Sequence, residues 1–518
     1  MSASIQESNP ADQPAYPVKH RGLLTLAVMG ATIIQILDST IANVAIPHMQ
    51  TSLGATFDTV TWVLTSYIIA SAVAMPITGW LADRIGLRQL FLYSVAGFII
   101  ASMLCGIATS LGEMVAFRIL QGICAAFIGP LSQTILLDIN PPSRQQRAMA
   151  LWGMGIMIAP ILGPMIGGWL TETYNWRWVF YINLPIGIPT LGLLWWLLPH
   201  RPLNRRTLDI FGYAMLALGL ATLQLLLDRG QQENWLESWE IRIEAIIVVS
   251  ALWMYVAHQM TTKRPMFDPV LFRDRNFLTA MNFMILIGMM MFGIFALLPP
   301  MLQNLFGYSV YDTGILLAPR GVGILFAMFL ASRLAGKVDP RLIVATGFVI
   351  TAISLWMMTG WSLQMDWHPV VWTGLVQGVG MGFVFIPLNG IAFSTLPMRL
   401  RTDGSSLLYL FRSLGGSMGI SVMTTMLTRN IQTSHEDLAG HITAYSMSSV
   451  DPSSADRLGS LGEGLLRFMD LEVNRQAAMI AYLDDFQLML FAVILVMPLV
   501  FLLKPSKLPQ GTPVPVGE

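Results

Sequence analysis

The sequence predicts an all-α polytopic membrane protein: two six-helix bundles separated by two inserted helices, fourteen transmembrane helices in all. Three observations carry that prediction. Of 518 residues 54 % are hydrophobic and 12 % charged, with mean hydropathy +0.61, against roughly 25 % charged in an ordinary soluble domain. Apolar runs of about 20 residues, the length a helix needs to cross a bilayer, occur fourteen times. The second half of the chain also repeats the first.

In chain order, the tail 1–20 is polar and proline-containing, with no apolar core of a cleavable signal, so the first span is expected to direct insertion itself. Spans at 22–46, 59–81, 89–109, 113–136, 148–170 and 177–198 build an N-terminal bundle over 21–198. Two more, at 209–227 and 241–260, form an insert with linkers over 199–276. Spans at 277–302, 312–333, 341–361, 369–393, 404–427 and 486–503 build a C-terminal bundle over 277–503, and 504–518 is a second tail. The one long connection, 428–485, contains a stretch that reads as one or two amphipathic helices. Cys105 and Cys124 both fall in apolar spans and read as small packing residues. Net charge is zero, so no global field recruits nucleic acid.

Lys and Arg placement sets the expected orientation. With both termini cytoplasmic, 20 of the 30 basic residues lie on cytoplasmic segments, 7 outside and 3 within spans. The 428–485 loop is then external, and Trp176, Trp178 and Tyr181 are placed at an outer interface as an aromatic belt.

The repeat aligns Gly79–Arg88 with Ser332–Arg341, and Pro47, Gln50 and Gly54 with Pro300, Gln303 and Gly307, at an offset of 253. Gln121 through Leu131 resembles Gln377 through Leu388 with one residue inserted. Duplicated six-helix halves are a transporter architecture with the substrate site between them near the midplane. The repeat fails at two informative places: Asp38 falls on Met291 and Arg118 on Gly374. The charged pair belongs to the first half alone, and ion coupling is placed there.

Asp38 is the one carboxylate in the apolar run Gly30–Pro47. A charge at bilayer depth costs about 2.5–3.5 kcal/mol on insertion scales, so such residues face a bundle interior or a watery cavity. Arg118, in the fourth span, lies at similar depth, which makes an Asp–Arg couple possible, either exchanging protons or serving as a static ion pair. Asn43, Gln121, Arg320 and Arg412 are the substrate-cavity candidates; the two arginines could equally be held by water or backbone carbonyls. Gly79, Asp83, Arg84, Gly86 and Arg88 form a loop motif between spans 2 and 3, read as a charge cluster that conformational change must break. In span 5, Gly155, Ala159, Gly163 and Gly167 recur every four residues on one face, with Pro160 and Pro164 between them. This is a small-residue packing stripe or a kinked hinge that seals the external side. Gly415–Gly419 matches a nucleophile-elbow spelling but lies inside an apolar span with no strand before it, and is read as helix packing. No catalytic constellation, metal motif or nucleotide loop is found, and no cofactor is expected.

Taken together these residues resemble the major facilitator superfamily, and within it the 14-spanner drug:proton antiporters of EmrB/QacA type, closest to the EmrB branch. Leu37 through Pro47 is similar to that family's first-helix signature; 79–88, Arg118-x-x-Gln121-Gly122 and Gly155 through Gly168 look like three further signatures, the last associated with antiport. Trp176 through Pro185, Leu302 through Tyr308 and Leu400 through Ser406 match as well. The loop motif departs at Gln89, where a second basic residue is usual. The resemblance implies a proton-coupled exporter of hydrophobic or amphipathic toxic compounds in the inner membrane, with Asp38 as the protonatable residue and Arg118 as its partner. It also implies a periplasmic adaptor of EmrA type and a TolC-type outer-membrane channel. Two rivals stay open: an uptake permease or symporter of the same fold, and a non-transporting membrane sensor or scaffold.

Overall fold

A computed structural model describes residues 13–203, 206–334, 337–441 and 460–504. Both distal tails, the centre of the 428–485 loop, and Arg205, Arg457 and Lys507 of the orientation argument lie outside the described residues. Regular structure within them is helical.

The first bundle holds α1 (Arg21–Ser52), α2 (Trp62–Ile85), α3 (Leu87–Ile107), α4 (Leu111–Ile139), α5 (Pro142–Thr173) and α6 (Trp178–Leu197). The insert holds α7 (Ile210–Arg229) and α8 (Trp239–Thr261). The second bundle holds α9 (Arg275–Asn304), α10 (Val310–Leu334), α11 (Pro340–Met358), α12 (His368–Ser394), α13 (Arg401–Gly440) and α14 (Ser460–Val496). Twelve of these segments are long and apolar enough to cross a membrane among the described residues; α5 and α13 are not in that set. Arg412 and the serines and glycines around it dilute the apolarity of α13.

The packing repeats as the sequence does. Helix α1 packs on α5 and α9 on α13; α2 packs on α4 and α10 on α12; α3 packs on α4 and α11 on α12. Gly54 and Gly307, 253 residues apart, close the turns after α1 and α9 with φ of +63° and +73°, a region glycine enters without steric cost. The α1–α5 and α9–α13 seams are both built on glycine. Gly155, Gly163 and Gly167 face Met29, Thr40 and Ile41 of α1, and Gly288, Gly415 and Gly419 bring the α9 and α13 backbones together. The span 5 stripe therefore packs within its own half, and the helix runs on through Pro160 and Pro164. The face bearing Gly153 and Gly168 meets Met328 and Val310 of α10, across the halves.

One further expectation is met and one is corrected. The stretch of the 428–485 connection read as amphipathic helix is helical: 460–485 belong to α14, 428–440 continue α13, and His435 Nε2 ties the two to each other at Asp470 Oδ1, 3.3 Å. Polar sequence outside a bilayer carries no apolar signal of helix continuation. Trp176 is buried against Phe180 with Arg177 over its ring, so it is not part of a belt; Trp169, Tyr174 and Trp178 are exposed there, with Tyr174 meeting Trp169 edge-on and Trp178 at a tilt. The insert lies to one side, α7 against α2, fastened by Thr65 to Asp228 and by Tyr213 Oη to Val73 O at 3.2 Å.

Candidate functional site

Asp38 sits mid-way along α1 and is 1 % exposed. Its Oδ2 accepts from Arg118 Nη1 at 2.8 Å, and its Oδ1 from Gln121 Nε2 at 2.8 Å and Asn183 Nδ2 at 2.7 Å. The i, i+3 spacing of Arg118 and Gln121 puts both on one face of α4, where Arg118 also donates to Gln121 Oε1 at 2.7 Å. Ser102 of α3 accepts from both Gln121 and Asn183, and Arg118 Nε donates to Val63 O at 2.9 Å. The rings of Tyr67 and Phe180 cover the guanidinium, at 4.4 and 5.7 Å. Five helices thus contribute to one buried network. A buried ion pair is favourable only where its remaining donors and acceptors are met, and here the carboxylate receives three donors, one of them charged.

Of the cavity candidates, Gln121 belongs to this network and is fully buried, whereas Asn43 is exposed and donates only to Ser39 O, at 3.4 Å. Asn43 and the three remaining candidates do not form one site. Arg320 and Arg412 lie in the second half, both buried, stacked on Phe295 (5.6 Å) and on Tyr409 (4.1 Å). Asn183 and Ser102 were absent from the sequence-derived set. Asn183 was visible only as one amide inside the matched stretch before Pro185, and a lone serine in an apolar helix gives no signal.

The loop motif also acquires unforeseen partners. Asp83 pairs with neither Arg84 nor Arg88 but with Arg206 Nε at 3.1 Å, from the linker between α6 and α7. Arg206 also takes both carboxylate oxygens of Asp403 on α13, at 2.7 and 2.8 Å. Burial alone would lower the pKa of Arg206; Asp403 and Asp83 raise it above its usual value. Gly79 is what lets Asp403 in, since a Cβ there would overlap that carboxylate. Arg84 lies over Trp80 of its own helix, and Arg88 reaches α6, donating to Trp195 O at 2.6 Å, so both stay within the first half. Gly86, with φ +95°, turns α2 into α3. Beside this, Asp138 at the end of α4 binds Arg201 and, at 2.9 Å, Arg401 of α13. Gln133–Asn389 (2.7 Å) and Thr134–Ser405 (3.2 Å) continue the junction inward. At this end the halves are clamped by charge.

The Major Facilitator Superfamily model matches residues 28–420. The chain is 35 % identical to Multidrug export protein EmrB of Escherichia coli K12, over 93 % of this chain and 95 % of that protein. It is 36 % identical to Fatty acid resistance protein FarB of Neisseria gonorrhoeae, over 94 % and 97 %. Among solved structures the proton:xylose symporter XylE superposes with a TM-score of 0.58 at 13 % identity, over 94 % of this chain and all of that one, a likeness of fold.

Proposed function

The chain belongs to the Major Facilitator Superfamily and sits with its EmrB branch, and from that premise we propose a proton-coupled exporter of hydrophobic or amphipathic toxic compounds, working by alternating access. The observation that carries the reading is the buried Asp38–Arg118 couple, present in the first half and missing from its repeat. Protonating Asp38 removes the charge that Arg118 neutralises and weakens three hydrogen bonds at once. Proton and substrate then drive exchange through their differential affinity for the two conformations. Asp38 is closed to water in the conformation described, so the proton enters in another one, with the charged clamp open or the opposite end parted.

The division into bundles 21–198 and 277–503 with an insert at 199–276 is part of this proposal, as are cytoplasmic termini. So is a periplasmic adaptor of EmrA type meeting the projecting ends of α13 and α14 and passing substrate to a TolC-type channel. In this orientation the Asp83–Arg206–Asp403 and Asp138–Arg401 clamp is the cytoplasmic gate.

The test is efflux of a fluorescent amphiphile from cells expressing Asp38→Asn. Loss of pH-gradient-dependent efflux is expected, and wild-type efflux would remove Asp38 from the mechanism. Everted vesicles distinguish export from uptake: an exporter accumulates substrate in them when the lumen is acid.

A further inference from the structure

The two halves differ in their charge at one pair of equivalent sites. In the first, Tyr67 of α2 stacks on Arg118 of α4, and Asp38 of α1 completes the pair. At the offset of 253 Tyr67 becomes Arg320 and Asp38 becomes Met291; in the fourth helix, where Gln121 aligns with Gln377 at an offset of 256, Arg118 becomes Gly374. The cation has moved from the fourth helix of the bundle to the second, and Gly374 lies beside it: a Cβ added there would stand 3.8 Å from Arg320 Cβ. The acid has no replacement. Gln377, the equivalent of Gln121, keeps its place.

The chemical consequence is visible in the hydrogen bonds. Gln121 has its donors and acceptor engaged. Gln377, 1 % exposed, has neither its Nε2 nor its Oε1 bonded, and Arg320, 6 % exposed, has Nε and Nη2 unbonded. Both line a cavity of about 20 Å³, walled by Met291, Phe295, Met381 and Phe385. Arg412 stands over the ring of Phe385, at 5.8 Å, and makes no ion pair among the described residues. Leaving a buried charge and a buried amide both unpaired is costly, and no acid among the described residues is within ion-pair reach of Arg320.

We propose that the Arg320–Gln377 cavity is the recognition site for the carboxylate of an amphipathic anion, which supplies the acid that Met291 does not. The planar guanidinium fork and the neighbouring amide suit a carboxylate held at two oxygens, and the methionine and phenylalanine walls suit an aliphatic or aromatic tail. In the closed conformation the space is about that of one water; the tail enters when the halves part. The assignment rests on the export reading for its purpose but not for its test, which is an equilibrium measurement without a gradient.

The test is equilibrium dialysis of decanoate and of decyltrimethylammonium against the purified full chain in a non-ionic detergent. Arg320→Gln is expected to weaken decanoate binding roughly 10- to 100-fold, the loss of a charged hydrogen-bond donor, and to leave the cationic amphiphile unchanged. Arg320→Lys should retain part of the affinity. Met291→Asp puts a carboxylate at the position of Asp38, lining the cavity with Arg320; it should abolish decanoate binding without lowering the unfolding temperature, and it decides the matter if Arg320→Gln does not fold. Equal losses for both amphiphiles, or undiminished decanoate binding in Met291→Asp, would overturn the proposal. So would chloride competing as well as decanoate, which would make this a site for small inorganic anions only. Failure of Asp38→Asn to affect efflux would leave these results untouched.

Discussion

At the scale of single residues, Asp38 and Arg118 answer for each other. Removing one partner of a buried pair leaves a desolvated charge, at about 3–5 kcal/mol, so Arg118→Met should unfold well below wild type in detergent. The double variant Asp38→Asn with Arg118→Met should recover most of that loss while remaining unable to couple transport to a proton gradient. Thermal melts of the four proteins of the cycle check this; a double variant as unstable as Arg118→Met would show that the guanidinium matters for packing on Tyr67 and Phe180, not for charge. Asp38 and Arg118 were legible in the sequence because a charge in an apolar run is conspicuous. Asn183 was not, because a neutral amide costs far less at that depth, and nothing in one dimension says that α6 turns it toward α1. Arg206 was counted as one more basic linker residue; its bridge from Asp83 to Asp403, which are 320 positions apart in the chain, is a property of the fold.

Helices meet here through backbone as much as through side chains, and the two glycine seams should differ in tolerance. A Cβ at Gly415 would strike the carbonyl of Ile285, whereas one at Gly163 would strike the hydroxyl of Thr40. Backbone cannot step aside, but a side chain can be shortened. Gly415→Ala and Gly163→Ala should each lose stability in the about 1–3 kcal/mol range of overpacked cores. Adding Thr40→Ala removes the hydroxyl but leaves the Thr40 Cβ at 2.8 Å, so it should rescue part of the Gly163 variant, and shortening Ile285 should do nothing for the Gly415 variant. Unfolding temperatures of the single and paired variants check it. Spacing of four in span 5 tells which residues share a face but not which helix that face meets, and the structure gives α1. Likewise the apolar runs located every long helix, yet α13 and α14 pass well beyond the runs that announce them, because outside a bilayer a helix no longer needs apolar residues.

For the molecule as a whole, the clamp at one end is expected to set which conformation is populated. Asp138 holds Arg401 across the halves, Arg206 holds Asp403, and just inside them Thr134 meets Ser405, which is wholly buried. These pairs are mostly shielded from solvent, with Asp138 and Asp403 each 3 % exposed, so they are worth more than surface ion pairs and lose little to salt. Asp138→Asn removes the charge facing both Arg201 and Arg401, and leaves two cations without their anion. The closed state should lose stability relative to one in which this end is parted, and a loss of about 1.4 kcal/mol multiplies the open population tenfold. With Cys105 and Cys124 first replaced by alanine, a cysteine introduced at Ser405 reports that population through its labelling rate with a polar maleimide. Asp138→Asn should raise the rate several-fold to tenfold, and Arg206→Gln should do the same through Asp403. Unchanged labelling in both would mean that the glycine seams and the α5–α10 contact hold this end shut without help from charge.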